Sequence, residues 1–209
     1  MSSSNPKRSA SPKGGAQEDE RLLVEQAKTD PLAFGRLFDT YYERILGYIV
    51  NRTADVYVAQ ELTSNVFYNA MKNLGKFRWR RVPFSAWLYR IATNEVNGHY
   101  RRQARSRTID IDDAPERHLV DPDAGTDNEV IEAQSAVAEK KLFLELHSAI
   151  SELDSKYQDV IALHYFEAKS LEEIGVILGK PIGSVKSTLH RGRSQLRARL
   201  KGSYLKLVE

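Results

Sequence analysis

An all-α fold, built as two small helical domains joined by a flexible acidic linker, is predicted by three features of this sequence. Apolar residues recur at spacings of three and four, and no segment alternates apolar and polar residues with the period of a strand. Helix-starting residues stand where the apolar stripes begin: Asp30-Pro31, and Ser170 with Glu173 three residues on. Charge is laid down in blocks, cationic, then anionic, then cationic again. The 209 residues suffice for one or two domains, each with its own core.

Residues 1–17, rich in Ser, Pro, Lys and Gly, read as a disordered arm. The N-terminal domain is expected over 18–106. Leu22, Leu23 and Ala27 suggest its first helix. Asp30 as N-cap and Pro31 at the first helical position open a second, which carries Ala33, Phe34, Leu37, Phe38, Tyr41, Ile45, Tyr48 and Ile49. A third runs from about Ala54 to Asn73, with Ala59, Leu62, Val66, Phe67 and Ala70 inward and Gln60, Glu61, Ser64, Asn65 and Tyr68 on its other side. After the loop KFRWRRVP, Pro83 initiates a fourth helix from Phe84 to about Arg105. Its core face is Phe84, Trp87, Leu88, Ile91 and Ala92, while Arg90, Asn94, Asn97 and Arg101 make one polar stripe.

From Lys76 to Arg107 there are nine Lys or Arg against Glu95, and from Ile109 to Glu132 nine Asp or Glu against Arg117. The acidic stretch holds Pro115, Pro122 and Gly125 and no sustained apolar face, so 107–132 reads as a linker. A C-terminal domain over 133–202 follows, with Val137, Leu142, Leu146 and Ile150 on one helix, then a helix capped by Asp154 or Ser155 through Val160, Ile161, Leu163 and Tyr165. A tail, 203–209, closes the chain.

Within the second domain, Ser170 and Glu173 form a capping box, and Leu171, Ile174 and Leu178 an apolar face. Gly179-Lys180-Pro181 then stops one helix and starts another. In the latter, Ile182, Val185, Leu189, Leu196 and Leu200 form the inner stripe and Lys186, Ser187, His190 and Arg191 point outward. Gly175, where the two helices cross, allows close approach. Eight Lys or Arg and no acid lie between Ile174 and Val208, the charge pattern of a phosphate-binding surface. The unit reads as a helix-turn-helix with its second helix sized for a major groove.

The loop Lys76–Pro83 mixes Phe77 and Trp79 with Arg78, Arg80 and Arg81. Aromatic faces accept unstacked bases and arginines hold the flanking phosphates, at roughly 1–3 kcal/mol per stacked base, so the loop could hold a melted strand open. Other chemistries are not indicated. Zero cysteines exclude disulfides, thiolate zinc sites and cysteine nucleophiles, and the five histidines have no metal-ligand spacing. No P-loop, nucleophile elbow or dinucleotide turn is present, so no catalytic residue, metal or cofactor is expected. No apolar run approaches the ~20 residues that span a membrane, and no signal-peptide core is visible, so a cytoplasmic location is expected.

Four motifs in order make the chain resemble a bacterial RNA polymerase sigma factor of the small extracytoplasmic-function (ECF) type. DPLAFGRLFDTYY resembles the start of that family's N-terminal domain, and AQELTSNVF its core-binding helix. FSAWLYRIATNEV resembles its promoter-reading helix, and GSVKSTLHRGR the GTVKSRLHRAR of its C-terminal helix-turn-helix. The resemblance implies a subunit that brings polymerase core to promoters and helps melt them, contacting the clamp of the largest subunit, the flap of the second, double- and single-stranded promoter DNA and, in many members, an anti-sigma factor. It implies core docking by Gln60, Glu61, Leu62, Ser64, Asn65 and Tyr68. It assigns −10 recognition and melting to Lys76, Phe77, Arg78, Trp79, Arg80, Arg81, Arg90, Asn94, Asn97 and Arg101, and −35 recognition to Ser184, Lys186, Ser187, Thr188, His190, Arg191 and Arg193. Ser64 and Asn65 replace a frequent Gln-Glu pair, Gly98 a usual Asp, Thr188 a common Arg and Gly192 a common Ala. Gly192 is expected to weaken its helix by about 1 kcal/mol. A stand-alone helix-turn-helix regulator is the alternative, but no spare apolar face offers the dimer interface it would need. A DNA-processing enzyme such as a recombinase lacks its nucleophile site here.

Overall fold

Tyr41, Ile45, Tyr48 and Ile49 set one buried face of a long helix, and three further helices close over it. The structure, a computed structural model, describes residues 12–79, 82–109, 142–143 and 145–200. The first domain comprises α1 (Pro12–Ala27), α2 (Pro31–Thr53), α3 (Val56–Asn73), a 3-10 turn (Leu74–Lys76) and α4 (Phe84–Ile109). The second comprises α5 (145–151), α6 (Ser155–Ile161) continued by a π-helical turn (Ala162–Phe166), α7 (Leu171–Leu178) and α8 (Ile182–Arg199). No strand occurs among the described residues, and none of their helices is long and apolar enough to cross a membrane. The expected linker, apart from residues 107–109, which end α4, and the tail lie outside the described residues.

Local chemistry explains most boundaries. Asp30 accepts the Leu32 amide at 2.9 Å, as the N-cap reading requires. Ala54 is left-handed (φ 53°) and ends α2, and Asp55 then accepts the Val58 amide at 3.0 Å, so α3 starts at Val56 rather than Ala54. The first helix starts at Pro12, inside the segment read as an arm. Ser170 and Glu173 form the predicted capping box, with bonds of 2.8 and 3.2 Å.

Leu37, Ile45, Ile49, Leu62, Phe84 and Leu88 fill the first core, and Tyr48 joins them by bonding Thr93 at 2.9 Å. Burial pushes the Tyr48 hydroxyl up to about 12, so it stays neutral. The second core is built from Val160, Ile161, Leu163, Ile174, Ile177, Val185 and Leu196. Tyr165 and Ile182, the latter expected on the inner stripe of its helix, lie outside it. The π-helical turn adds a residue per turn and carries Tyr165 to the surface, and Ile182 sits on the exposed first turn of α8.

Two glycines set how closely helices cross. A methyl at Gly175 would stand 2.9 Å from the Lys180 carbonyl oxygen, a backbone atom of the turn between α7 and α8. At Gly192 it would stand 3.2 Å from Ile161 Cδ1 and 3.3 Å from Tyr157 Cβ, so Gly192 is the condition for seating α8 on α6 and not simply a weak point in a helix. His147 is buried between the Phe143 and Phe166 rings, with its Nε2 unpartnered, and burial alone lowers it to about 4.

Gly175→Ala is expected to destabilise the second domain by about 1–3 kcal/mol in chemical denaturation, because a backbone oxygen cannot step aside. Unfolded histidine titrates near 6.5, above the folded value of about 4. The unfolded chain therefore binds the extra proton, and the stability that neutral His147 contributes is complete above pH 6.5 and drains away toward pH 4. His147→Leu should flatten the fall of the melting midpoint across that window.

Candidate polymerase and nucleic-acid interfaces

The outer side of α8 carries Ser184, Lys186, Ser187, His190 and Arg191 into solvent, with Thr188 and Arg193 half-buried at its margins. Burying Val185, Leu189 and Leu196 fixes that orientation, since these residues share the opposite side of the helix. Pro181 and the left-handed Gly179 (φ 65°) aim the N-terminal turn of α8 away from α7. A cationic helix presented this way can enter a groove and contact phosphates along its rim.

On α3, Gln60, Glu61, Ser64 and Tyr68 are exposed and Asn65 is half-buried. Leu62 is not available for docking: it is fully buried beside Ala59 and Val66 on the core stripe. Tyr57 and Met71, missed in the sequence, extend the surface instead. Positions 57, 61, 64, 68 and 71 share one helical stripe, and that spacing was the available signal.

The loop after α3 divides between core and surface. Lys76 and Arg78 are exposed, and Arg78 donates to the Gly75 and Phe77 carbonyls at 2.7 and 3.0 Å. Phe77 is only 6% exposed and meets Phe84 and Trp87 at ring separations of 5.8 and 5.0 Å, so it plugs the core and does not face DNA. Trp79 is half-buried, set edge-on against Phe77. Arg80 and Arg81 lie outside the described residues.

The polar stripe of α4 is split. Asn94 and Arg101 face solvent, whereas Arg90 and Asn97 reach the second domain. Arg90 donates through Nε to the Ile177 carbonyl at 2.9 Å and through Nη2 to the Val176 carbonyl, both at the C-terminal end of α7. Asn97 donates to Asp159 Oδ2 at 3.1 Å, and Arg52 on α2 donates to Asp159 Oδ1 at 2.8 Å. Arg52 also donates to Gln158 Oε1, and to Asn97 Oδ1 at 3.3 Å. Burial works against the Arg52 charge, and neighbours led by Tyr48 and Asp159 outweigh it, so the guanidinium is held above its ordinary value. Nearby, Tyr89 donates to Glu167 Oε2 at 2.5 Å, with both groups raised by burial and the tyrosine kept neutral. The sequence reading missed this cluster. Its signal was Arg52 continuing the apolar stripe Ile45–Tyr48–Ile49, a place where an unpaired cation does not persist.

Profiles for Sigma-70 region 2 and Sigma-70, region 4 match residues 37–106 and 143–196. SigW of Bacillus subtilis, an ECF RNA polymerase sigma factor, is 33% identical over 87% of this chain and 96% of its own. The chain belongs to the ECF sigma factors of RNA polymerase. The RNA polymerase sigma-H factor of Pseudomonas aeruginosa is 30% identical over 86% of this sigma factor and 93% of its own length. Two solved structures share the fold. CnrH bound to the cytosolic domain of CnrY has a TM-score of 0.62 at 23% identity, covering 87% of this chain and 96% of that one. RpoE bound to the anti-sigma factor NepR from Bartonella quintana has a TM-score of 0.61 at 19% identity, covering 80% and 96%. As a sigma factor, the protein binds polymerase core and promoter DNA in transcription initiation, and a stand-alone regulator is not favoured.

Phe77→Ala should cost the first domain about 3–5 kcal/mol in thermal or denaturant unfolding, the penalty of an emptied aromatic site. A folded variant of unchanged stability would return Phe77 to the DNA-binding set.

Proposed function

We propose that this sigma factor divides its work among the three surfaces described above. Gln60, Glu61, Ser64, Asn65 and Tyr68, joined by Tyr57 and Met71, dock on the polymerase clamp. Lys76, Arg78 and Trp79, with Arg80 and Arg81, hold the displaced strand at the −10 element, and Arg90, Asn94, Asn97 and Arg101 line the same element. Ser184, Lys186, Ser187, Thr188, His190, Arg191 and Arg193 address the −35 element. The chain performs no bond chemistry of its own and acts in the cytoplasm. Phosphate contacts position each domain, groove contacts specify, and strand capture shifts duplex toward the open state. Inhibition by an anti-sigma partner, of the kind solved with RpoE, belongs to the same reading.

The observation carrying this assignment is the two-sidedness of α8: Val185, Leu189 and Leu196 are buried, and Lys186, Ser187, His190 and Arg191 are exposed. Run-off transcription from genomic DNA with purified core, with and without the protein, identifies the promoters. On those, Arg191→Ala should lower affinity for the −35 duplex by about 1–3 kcal/mol at the preferred sequence only. An equal loss on every sequence would make Arg191 a phosphate contact, and no loss would remove it from the interface.

A further inference from the structure

We propose that Arg101 and Arg102 converge over Gly98 on α4 and form a clamp for one backbone phosphate of promoter DNA. The inference rests on the assignment of α4 to the −10 element given above, and adds Gly98 and Arg102 to it.

Helix geometry builds the clamp. Side chains in a helix lean toward its N-terminus and cover the residues three and four positions back. Position 98 is three before Arg101 and four before Arg102, so both guanidiniums are directed to the same place. The structure has them there. A methyl at Gly98 would stand 3.3 Å from Arg102 Nη1 and 4.0 Å from Arg101 Nη2. A larger side chain at 98 would push the nearer guanidinium aside, so the glycine keeps open the seat between the two forks.

The two charges are also left uncompensated. Arg101 and Arg102 are exposed, and no hydrogen bond or ion pair ties either guanidinium to another described residue. Glu95 is the one acid between Lys76 and Arg107, and Asn69 on α3 donates to its carboxylate at 2.9 Å. That bond commits the acid to α3. Like charges gathered at one place repel, and an anion seated between them turns the repulsion into attraction.

The donors select a phosphate. A guanidinium fork matches paired phosphate oxygens and holds them bidentately. Asn94, four residues before Gly98 on the same polar stripe, is exposed as well, so a strand passing along this side of α4 meets further polar groups. A phosphate contact carries no sequence information. The clamp therefore fixes where the strand crosses α4 and leaves the choice of base to other residues.

The test uses holoenzyme, assembled from purified core and the full chain, on a promoter found by run-off transcription. Promoter affinity is measured in the parent, Gly98→Asp, Gly98→Ala and Arg102→Gln between about 50 and 200 mM potassium chloride. Gly98→Asp sets a carboxylate four residues before Arg102, at ion-pair spacing. Gly98→Asp and Arg102→Gln should each lower affinity about tenfold at the low-salt end. Each should also flatten the slope of log affinity against log salt by about one unit, equally on promoters with altered −10 bases. Combining the two should add less than about twofold, since both empty the same seat. Gly98→Ala separates the clamp from a structural role: alanine favours the helix, so the melting midpoint should rise while affinity falls.

Unchanged salt slopes in Gly98→Asp and Arg102→Gln would overturn the clamp, and so would a loss confined to one −10 sequence. Potassium phosphate at matched ionic strength should displace no more DNA than chloride does. Selective displacement that Arg102→Gln abolishes would make the seat one for a free anion and overturn its assignment to DNA. Parent holoenzyme that yields no run-off product would count against the sigma reading instead, and the salt slopes of the free chain on a duplex pool would then judge the clamp alone.

Discussion

A guanidinium with none of its side chain in water needs partners inside the protein, and in this protein the charged one for Arg52, Asp159, comes from the other domain, with Nε alone left unbonded. Asp159, Gln158 and Asn97 accept its hydrogen bonds, and the Tyr100 hydroxyl bonds the Arg52 carbonyl oxygen at 2.9 Å. The placement of the two domains follows from this need. An apolar residue at position 52 would have let α2 bury its stripe without help. The charge instead ties the end of α2 to α6, and α4 lies alongside because Asn97 shares the same carboxylate.

Around that junction each domain solves a separate problem with ordinary means. The first builds a core from apolar stripes and aromatic rings and leaves one side of α3 wet, with Tyr57, Tyr68 and Met71 standing in water. The second is smaller and relies on close crossings: Gly175 lets α7 meet the turn, and Gly192 lets α8 lie on α6. The two sets of constraints scarcely overlap. A sequence can therefore vary the outer residues of α8 without disturbing the inner ones that hold the helix in place.

What was legible in the sequence was whatever depends on a few neighbouring residues. Asp30-Pro31, the Ser170–Glu173 box, the Gly179 stop and the crossing at Gly175 follow from backbone geometry, and the structure has them where they were expected. Residues whose role depends on distant partners were harder. Phe77 sits in a stretch rich in charged residues, and only three-dimensional packing shows that its side chain turns inward, whereas the spacing of Leu62 already placed it inward and its burial removes the docking role that the resemblance implied. The helix read through Tyr165 ends in a π-helical turn, which has no clear mark in composition. The contacts of Arg90 and Asn97 with residues some 60 to 90 positions away could not be read from the regular stripe that contains them.

The enclosure of Arg52 has a consequence for ionic conditions. Dissolved ions screen charges in water over about 10 Å at 0.1 M and act far less on pairs sealed inside protein. Grip on DNA weakens steeply as counterions accumulate, because binding must displace them. Added salt thus weakens the protein's hold on promoter DNA while leaving the Arg52–Asp159 pair nearly untouched.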